Sequence, residues 1–427
     1  VSRRVVLWIA FAVVHVGVAW LGWILPNAPM GDVYLVYEPW SRAYFSGGWV
    51  FQADYSLYSK DTYVGFVGLD KPWVYPQLAI LPMLATWIFG WLVSYTPAWA
   101  IMIILLDAAA FAMLVGRARS RGRVTAAWFW LAFIVLLGPI ALYRIDAVTV
   151  ALGIMGVLWL RGRPWAASVL LAVATWMKVW PAALLAAAVI AVRRRMAIIG
   201  GGLAVTAVTL GAVVLLGGGA HAFNFIMDQT SRSLQVESPV STFYLWDDRI
   251  NGTSSVHYDP DLLTFYITGP HVDTVIAVMT PLLVVGVLAV AALGGYKAWR
   301  RASFSALFPP LALALVTAFI ALNKVGSPQY IVWISVPLIM GLVLDRARWR
   351  GPAIVALVVA ITTQIVYPLT YFDLLVVMPV PLVSITIRNA LMVTLFVWSV
   401  VLLARVRTRA PRAATSFRSD SALAGGS

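Results

Sequence analysis

Apolar runs long enough to cross a bilayer repeat along the whole chain, and charges of opposite sign gather at their two ends. Basic clusters stand at Arg3-Arg4, Arg117 to Arg123, Arg161 to Arg163, Arg193 to Arg195, Lys297 to Arg301, Arg346 to Arg350 and Arg405 to Arg412. Of the 17 Asp and Glu, all but Asp107, Asp345 and Asp420 map to the other ends. A helix of about 20 residues spans a hydrocarbon core about 30 Å thick, and its cytoplasmic end attracts Lys and Arg. A chain 62% hydrophobic and only 11% charged has far more apolar surface than a soluble core can use. The expected fold is therefore all-α, a polytopic integral membrane protein. Its net charge of +14 sits in short clusters between apolar runs, not on one basic face, which argues against nucleic acid as a partner.

Several chemistries drop out at once. No cysteine is present, so disulfides, thiolates and Cys-ligated metals are excluded. The four histidines, His15, His221, His257 and His271, lack metal-ligand spacing, and Asp247-Asp248 has no further ligands at fixed spacing. Neither a metal nor a cofactor is expected. Residues 5–25 follow Arg3-Arg4 as a signal peptide would, but run longer and end at Pro26-Asn27 without a small-x-small site, so a retained helix is expected.

If every basic cluster is cytoplasmic, the chain between neighbouring clusters crosses the membrane an even number of times. Residues 124–160 then form a hairpin turning at Tyr143-Arg144-Ile145-Asp146, and 165–192 a shorter pair turning at Lys178-Val179-Trp180-Pro181. Residues 196–217 and 273–296 flank a long loop, 304–322 and 328–344 turn at 323–327, and 352–369 and 384–404 form the last pair. The first interval has apolar length for one helix too many. We assign 97–116 as the span and 76–94, broken by Pro76 and Pro82, as a half-buried helix on the outer face. About twelve spans result, with both termini cytoplasmic, a single transmembrane domain over 1–409, and a disordered cytoplasmic tail over 410–427. No internal repeat of the transporter kind is visible.

Two loops of this topology are large and extracytoplasmic. Residues 26–75 carry Asp32, Glu38, Asp54, Asp61 and Asp70 among Trp40, Trp49, Tyr55, Tyr58 and Trp73, a composition that suits interfacial helices. Residues 218–272 carry Arg232, Gln235, Glu237, Asp247, Asp248, Arg249, Asp259 and Asp261. Asp32 follows directly on the first span, where a carboxylate can serve as base for chemistry on substrates held in the bilayer. Cations on this side (Arg42, Lys60, Lys71, Arg144, Lys178, Arg232, Arg249, Lys324 and Arg388) oppose the positive-inside bias, so each needs a local reason. An anion held at helix tops wants such groups. Together these parts fit glycosyl transfer from a polyprenyl-phosphate sugar: one carboxylate base for the acceptor hydroxyl, cations for the departing phosphate, and inversion by direct displacement.

The motifs also resemble a known family, the GT-C glycosyltransferases and within them glycosyltransferase family 87, which includes actinobacterial polyprenol-phosphate-mannose-dependent α-mannosyltransferases. Asp32-Val33-Tyr34-Leu35-Val36-Tyr37 is similar to the family's Asp-x-x-x-Tyr after the first helix. Trp73-Val74-Tyr75-Pro76-Gln77 resembles its Tyr-Pro-Pro motif, Lys178-Val179-Trp180-Pro181 a Lys-x-x-Pro turn, and Ser327-Pro328-Gln329-Tyr330 a Ser-Pro motif. Tyr143-Arg144-Ile145-Asp146 departs from a Gly-Gln-x-Asn turn, and the His pair of the mannoside-specific enzymes is absent. The resemblance implies a GT-C fold, a polyprenyl-phosphate-sugar donor, a glycolipid or glycan acceptor of the cell envelope, and Asp32 as catalytic base.

Lys178, Arg232, Lys324 and Arg388 are the candidates for the donor phosphate. Tyr37, Glu38, Tyr75, Arg144, Asp146, Gln235, Glu237, Gln329 and Tyr330 are the candidates for other substrate contacts, with Glu38 the reserve base. Plain alternatives stand beside them: Asp32 as a helix cap, Arg232 paired with Glu237 or Asp228, Arg144 paired with Asp146, and the aromatic residues as membrane-belt anchors. Asp107, in mid-span, is read as a buried structural partner. A mannosyl donor is expected; another polyprenyl-linked sugar such as arabinofuranose is the alternative within the fold. A lipid or sugar transporter is the alternative outside it, and would place its polar groups at mid-membrane.

Overall fold

The computed structural model describes residues 2–52, 60–226, 232–260 and 264–408. Asp54, Tyr55, Tyr58, Asp228, Asp261 and the tail at 410–427 lie outside the described residues. Among the described residues, eight helices are long and apolar enough to cross a membrane. They are Arg3–Ile24, Tyr95–Val115, Arg121–Ala141, Arg195–Leu215, Val272–Trp299, Phe304–Ala321, Arg346–Leu369 and Pro379–Ala404. Ile145–Trp159, Pro164–Met177, Ala182–Ala191 and Pro328–Leu344 are shorter apolar helices at positions where charge parity also wants a crossing. The protein is thus an all-α, multi-pass membrane protein, with eight spans meeting the length requirement and the expected twelve depending on the four shorter helices.

Helix Phe304–Ala321 forms the centre of the bundle, 78% buried, whereas Val272–Trp299 lies at its edge, 11% buried. The central helix packs against Pro379–Ala404, Val272–Trp299 and Ala182–Ala191. Small residues permit the tightest packing. A Cβ at Gly156 would press on Leu171 at 2.8 Å, which is how Ile145–Trp159 approaches Pro164–Met177. Gly201 does the same against Ser168 at 2.9 Å, so the short Pro164–Met177 is held between two neighbours. The half-helix expected at 76–94 forms as Gln77–Phe89, and the following span begins at Tyr95.

Asp107 of the helix Tyr95–Val115 pairs with His15 of the first helix, Nε2 to Oδ2 at 3.2 Å, and His15 is fully buried. The buried partner of Asp107 is therefore an imidazole. Its Nδ1 lies 2.9 Å from the Phe11 carbonyl one turn earlier, so both ring nitrogens are satisfied.

At the acid-rich end the connections are not all helical. Residues 26–75 form a π-turn at Val33–Tyr37, a helix at Glu38–Ala43 and a short antiparallel pairing of Trp49–Val50 with Thr62–Tyr63. The second large loop holds helix Ser241–Asn251 and a hairpin, Ser255–Asp259 with Thr264–Thr268. The helical reading missed both pairings. Leu234, Val236, Tyr244, Leu245 and Ile267 of this loop bury themselves against Val366, Leu374, Leu382 and Ile385, forming a second, smaller core.

Candidate active site

Helix ends at the acid-rich face set out the charged side chains. Arg121–Leu137 is capped by Gly138 in the left-handed region (φ +72°), and a 3-10 turn over Gly138–Ala141 carries the chain to Arg144. Arg144 is the N-cap residue of Ile145–Trp159, and Asp146 sits in its first turn, where the helix dipole favours a carboxylate. Lys178 caps the C-terminal end of Pro164–Met177, where the dipole favours a cation. Asp32 precedes the π-turn Val33–Tyr37, which brings Tyr37 back toward it.

These residues pair across elements and not within the turn. Arg144 Nε lies 3.1 Å from Asp32 Oδ2, and the Tyr37 hydroxyl donates to the same oxygen at 3.5 Å. Tyr37 in turn accepts from the Ile145 N–H at 3.2 Å. Burial first, then the Tyr75 and Asp32 charges, push the Tyr37 phenol well above its ordinary value, so it stays a neutral donor. Asp146 does not pair with Arg144. It accepts from Trp333 Nε1 at 2.6 Å and faces Lys178 Nζ at 3.6 Å. The two carboxylates differ in access: the Asp32 side chain is 33% exposed, that of Asp146 1%.

Lys178 is also enclosed by rings. Its Nζ lies 4.7 Å from the Tyr75 ring centre and 5.8 Å from that of Tyr330. Tyr330 stacks on Trp333 (4.2 Å, 25°), because residues three apart in the 3-10 helix Pro328–Ile334 eclipse one another. Tyr37 meets Tyr75 edge-on at 6.4 Å, which joins the Asp32 and Lys178 groups into one aromatic-lined cluster. Arg232 lies close enough to act on the Tyr330 phenol, and its buried Nε has no partner among the described residues.

Of the other expected site residues, several hold the second loop in place. Arg388 lies inside helix Pro379–Ala404, not at its end, and donates to Glu237 Oε2 at 2.6 Å, the Glu237 carbonyl at 2.5 Å and Asn389 Oδ1 at 3.1 Å. Each of its three nitrogens thus meets a protein group, and together they anchor the second loop to the helix. Glu237 pairs with Arg388, not Arg232. Burial pushes its carboxyl up, with Arg388 opposing the shift. Gln235 accepts from the Gly326 N–H at 3.1 Å, and its own N–H donates to the Lys324 carbonyl at 3.0 Å. Lys324 is itself buried, and desolvation lowers its pKa. Gln329 accepts from Ser327 at 2.5 Å. Glu38 is half-buried and faces Tyr95. Gln77, in the place of a motif proline, donates to the His221 carbonyl at 3.0 Å and ties the start of the half-helix to the second large loop.

Two residues of the site escaped the sequence reading. Trp333 had a signal, its spacing of three from Tyr330. Tyr367, whose hydroxyl accepts from Arg144 Nη2 at 3.1 Å, had none, since nothing local separates it from a membrane-belt tyrosine. Asp247, weighed as a cation ligand, instead accepts from Asn251, Thr253 and Ser254.

The fold and this cluster define a multi-pass membrane protein with a partly open carboxylate beside aromatic-enclosed cations. The family model of glycosyltransferase family 87 matches residues 73–246, in agreement with the motif resemblance, and the protein is in its broad class a glycosyltransferase. The matched segment includes Tyr75, Arg144, Asp146, Lys178, Arg232, Gln235 and Glu237, while Asp32 precedes it. No curated protein matches the chain.

Proposed function

We propose that the protein transfers a sugar, mannose as the leading case, from a polyprenyl-phosphate donor to a cell-envelope glycolipid or glycan at the extracytoplasmic face, with inversion at the anomeric carbon. The observation that carries the reading is the joining of a one-third-exposed Asp32 to the ring-enclosed Lys178 through Tyr37 and Tyr75. A base and a phosphate ligand are needed side by side, at a depth where a lipid-borne substrate can reach both.

In the proposed step the acceptor hydroxyl gives its proton to Asp32 as its oxygen attacks the anomeric carbon. The bond from that carbon to the phosphate oxygen breaks, and the electron pair leaves with the polyprenyl phosphate. Lys178 and Arg232 stabilise the developing charge, and the phosphate, already a good leaving group, needs no general acid. Tyr75 and Tyr330 offer faces for the sugar ring.

The test uses full-length protein in lipid with labelled polyprenyl-phosphate mannose and an envelope glycolipid fraction, comparing wild type with Asp32→Asn. Transfer that is lost in a folded Asp32→Asn supports both donor class and base. Undiminished transfer in the variant refutes Asp32 as base and turns attention to Glu38. Absence of both transfer and donor hydrolysis in wild type rules out this donor.

A further inference from the structure

We infer that Arg144 is a positioning residue that fixes the Asp32 carboxylate with Oδ1 alone turned to the acceptor hydroxyl. The inference rests on Asp32 being the base, as proposed above.

Arg144 is 5% exposed and held on three sides. Its Nη1 donates to the Pro29 carbonyl at 2.8 Å and to the Tyr143 carbonyl at 2.9 Å. Its Nη2 donates to the Tyr367 hydroxyl at 3.1 Å. Nε is left for Asp32 Oδ2 at 3.1 Å. A planar guanidinium with three N–H groups hydrogen-bonded and its Nε in an ion pair cannot turn, so the carboxylate oxygen it meets is a fixed point.

Tyr37, anchored by the Ile145 N–H, donates to that same oxygen. Both neighbours therefore engage Oδ2, and no hydrogen bond to Oδ1 is formed by a described residue. With a third of the side chain exposed, Oδ1 is the oxygen available to an incoming hydroxyl.

The Arg144 clamp also spans the fold: the loop before Asp32 at Pro29, the turn before Ile145, and Tyr367 beside Pro368. Asn27 Nδ2 reinforces it by donating to the Pro368 carbonyl at 2.5 Å. A lysine presents its donors from one point and cannot reproduce these directions. With most of its donors committed, Arg144 has little left for a phosphate. Its effect passes through Asp32.

The experiment measures steady-state transfer by full-length protein in lipid, with polyprenyl-phosphate mannose and the glycolipid fraction, for R144Q, R144K, D32N and D32N/R144Q. We expect R144Q to lower kcat about 10²-fold, the scale of a misplaced catalytic group, without changing donor KM. R144K should restore only part of the loss. In the D32N background R144Q should cost nothing further, as for residues acting as one unit. A rise in donor KM with kcat unchanged would make Arg144 a phosphate ligand and overturn the inference. So would an equal loss of turnover with and without Asp32. Should R144Q fail to fold, Tyr367→Phe removes one hold while keeping the ring. A kcat loss that depends on Asp32 supports the inference; unchanged kcat, or equal loss in both backgrounds, overturns it. Wild-type turnover by D32N is a separate outcome, which removes the base assignment and the inference with it.

Discussion

Arg388 Nη1 lies 2.6 Å from Glu237 Oε2, and both residues are almost fully buried at 3% and 4% exposure. The pair joins helix Pro379–Ala404 to the second large loop, and the Glu237 carbonyl, Asn389 and Ser238 extend the joint. The loop segment over 234–238 is thus bound to the bundle and is not a free flap.

Breaking this pair one-sidedly strands a charge in the interior. Arg388→Met is expected to destabilise the protein by about 3–5 kcal/mol. Glu237→Gln combined with Arg388→Met should cost less than the sum of the two single changes. Thermal unfolding in lipid nanodiscs across this cycle checks both statements; additive losses would show that the two side chains do not act together.

Gly326 faces the same loop. A Cβ there would overlap the backbone of Glu237 and Ser238. Backbone cannot swing aside as a side chain can, so Gly326→Ala should cost about 1–3 kcal/mol, the range of overpacked sites. The same unfolding assay reads it, and unchanged stability would mean the crossing is looser than described.

Lys178 lies at the C-terminal end of its helix, 3.6 Å from Asp146. If it holds the donor phosphate, Lys178→Met should lower kcat about 10²–10³-fold, the cost of removing one charge-stabilising donor. Lys178→Arg should keep part of the rate. Initial rates over a donor titration decide it, and a wild-type rate for Lys178→Met would confine Lys178 to pairing with Asp146.

Asp247 accepts from Asn251 at 2.9 Å, Thr253 at 2.5 Å and Ser254 at 2.6 Å, and these hydrogen bonds hold its carboxyl below the ordinary value. A carboxyl depressed in the folded state stabilises above its unfolded pKa of about 3.9, and that contribution is lost as pH falls through the lower folded value. Amide exchange over 251–254, corrected for intrinsic rates, should therefore show protection at neutral pH that fades near and below pH ~4. Asp247→Ala should remove the protection at neutral pH as well.

Asp107 and His15 satisfy each other inside the bundle, away from the Asp32 cluster. Asp107→Leu leaves a buried imidazole nitrogen unpaired and should destabilise by about 1–3 kcal/mol. Asp107→Asn keeps a hydrogen-bonding group and should retain the transfer rate. A large kcat loss in Asp107→Asn would give the pair a functional role.

The helical class, the half-helix before Tyr95 and the position of Asp32 after the first span were all legible, because they follow from periodic burial and the sorting of charge by membrane side. The strand pair Ser255–Asp259 and Thr264–Thr268 has a signal in its β-branched and aromatic residues, which a reading of 218–272 as one connecting loop passes over. Partner choice was not legible. Arg144 and Asp146 sit two residues apart, yet the helix start turns them to different neighbours, Asp32 and Lys178. Arg388 meets Glu237 across 151 positions of sequence, a pairing that only the packing of the loop creates.

By itself the sequence determined what each segment must do in a bilayer: which runs are helical, where they end, and which ends collect acids or arginines. Those outcomes depend on hydrophobic length and local charge, which are properties of neighbours along the chain. Only the tertiary structure decided which acid meets which cation, that Tyr367 and Trp333 join the cluster, and that the second loop is pinned. Those contacts link residues far apart in sequence, such as Arg144 with Tyr367, 223 positions away. Their energy depends on a distance and a burial that exist only once the helices have packed.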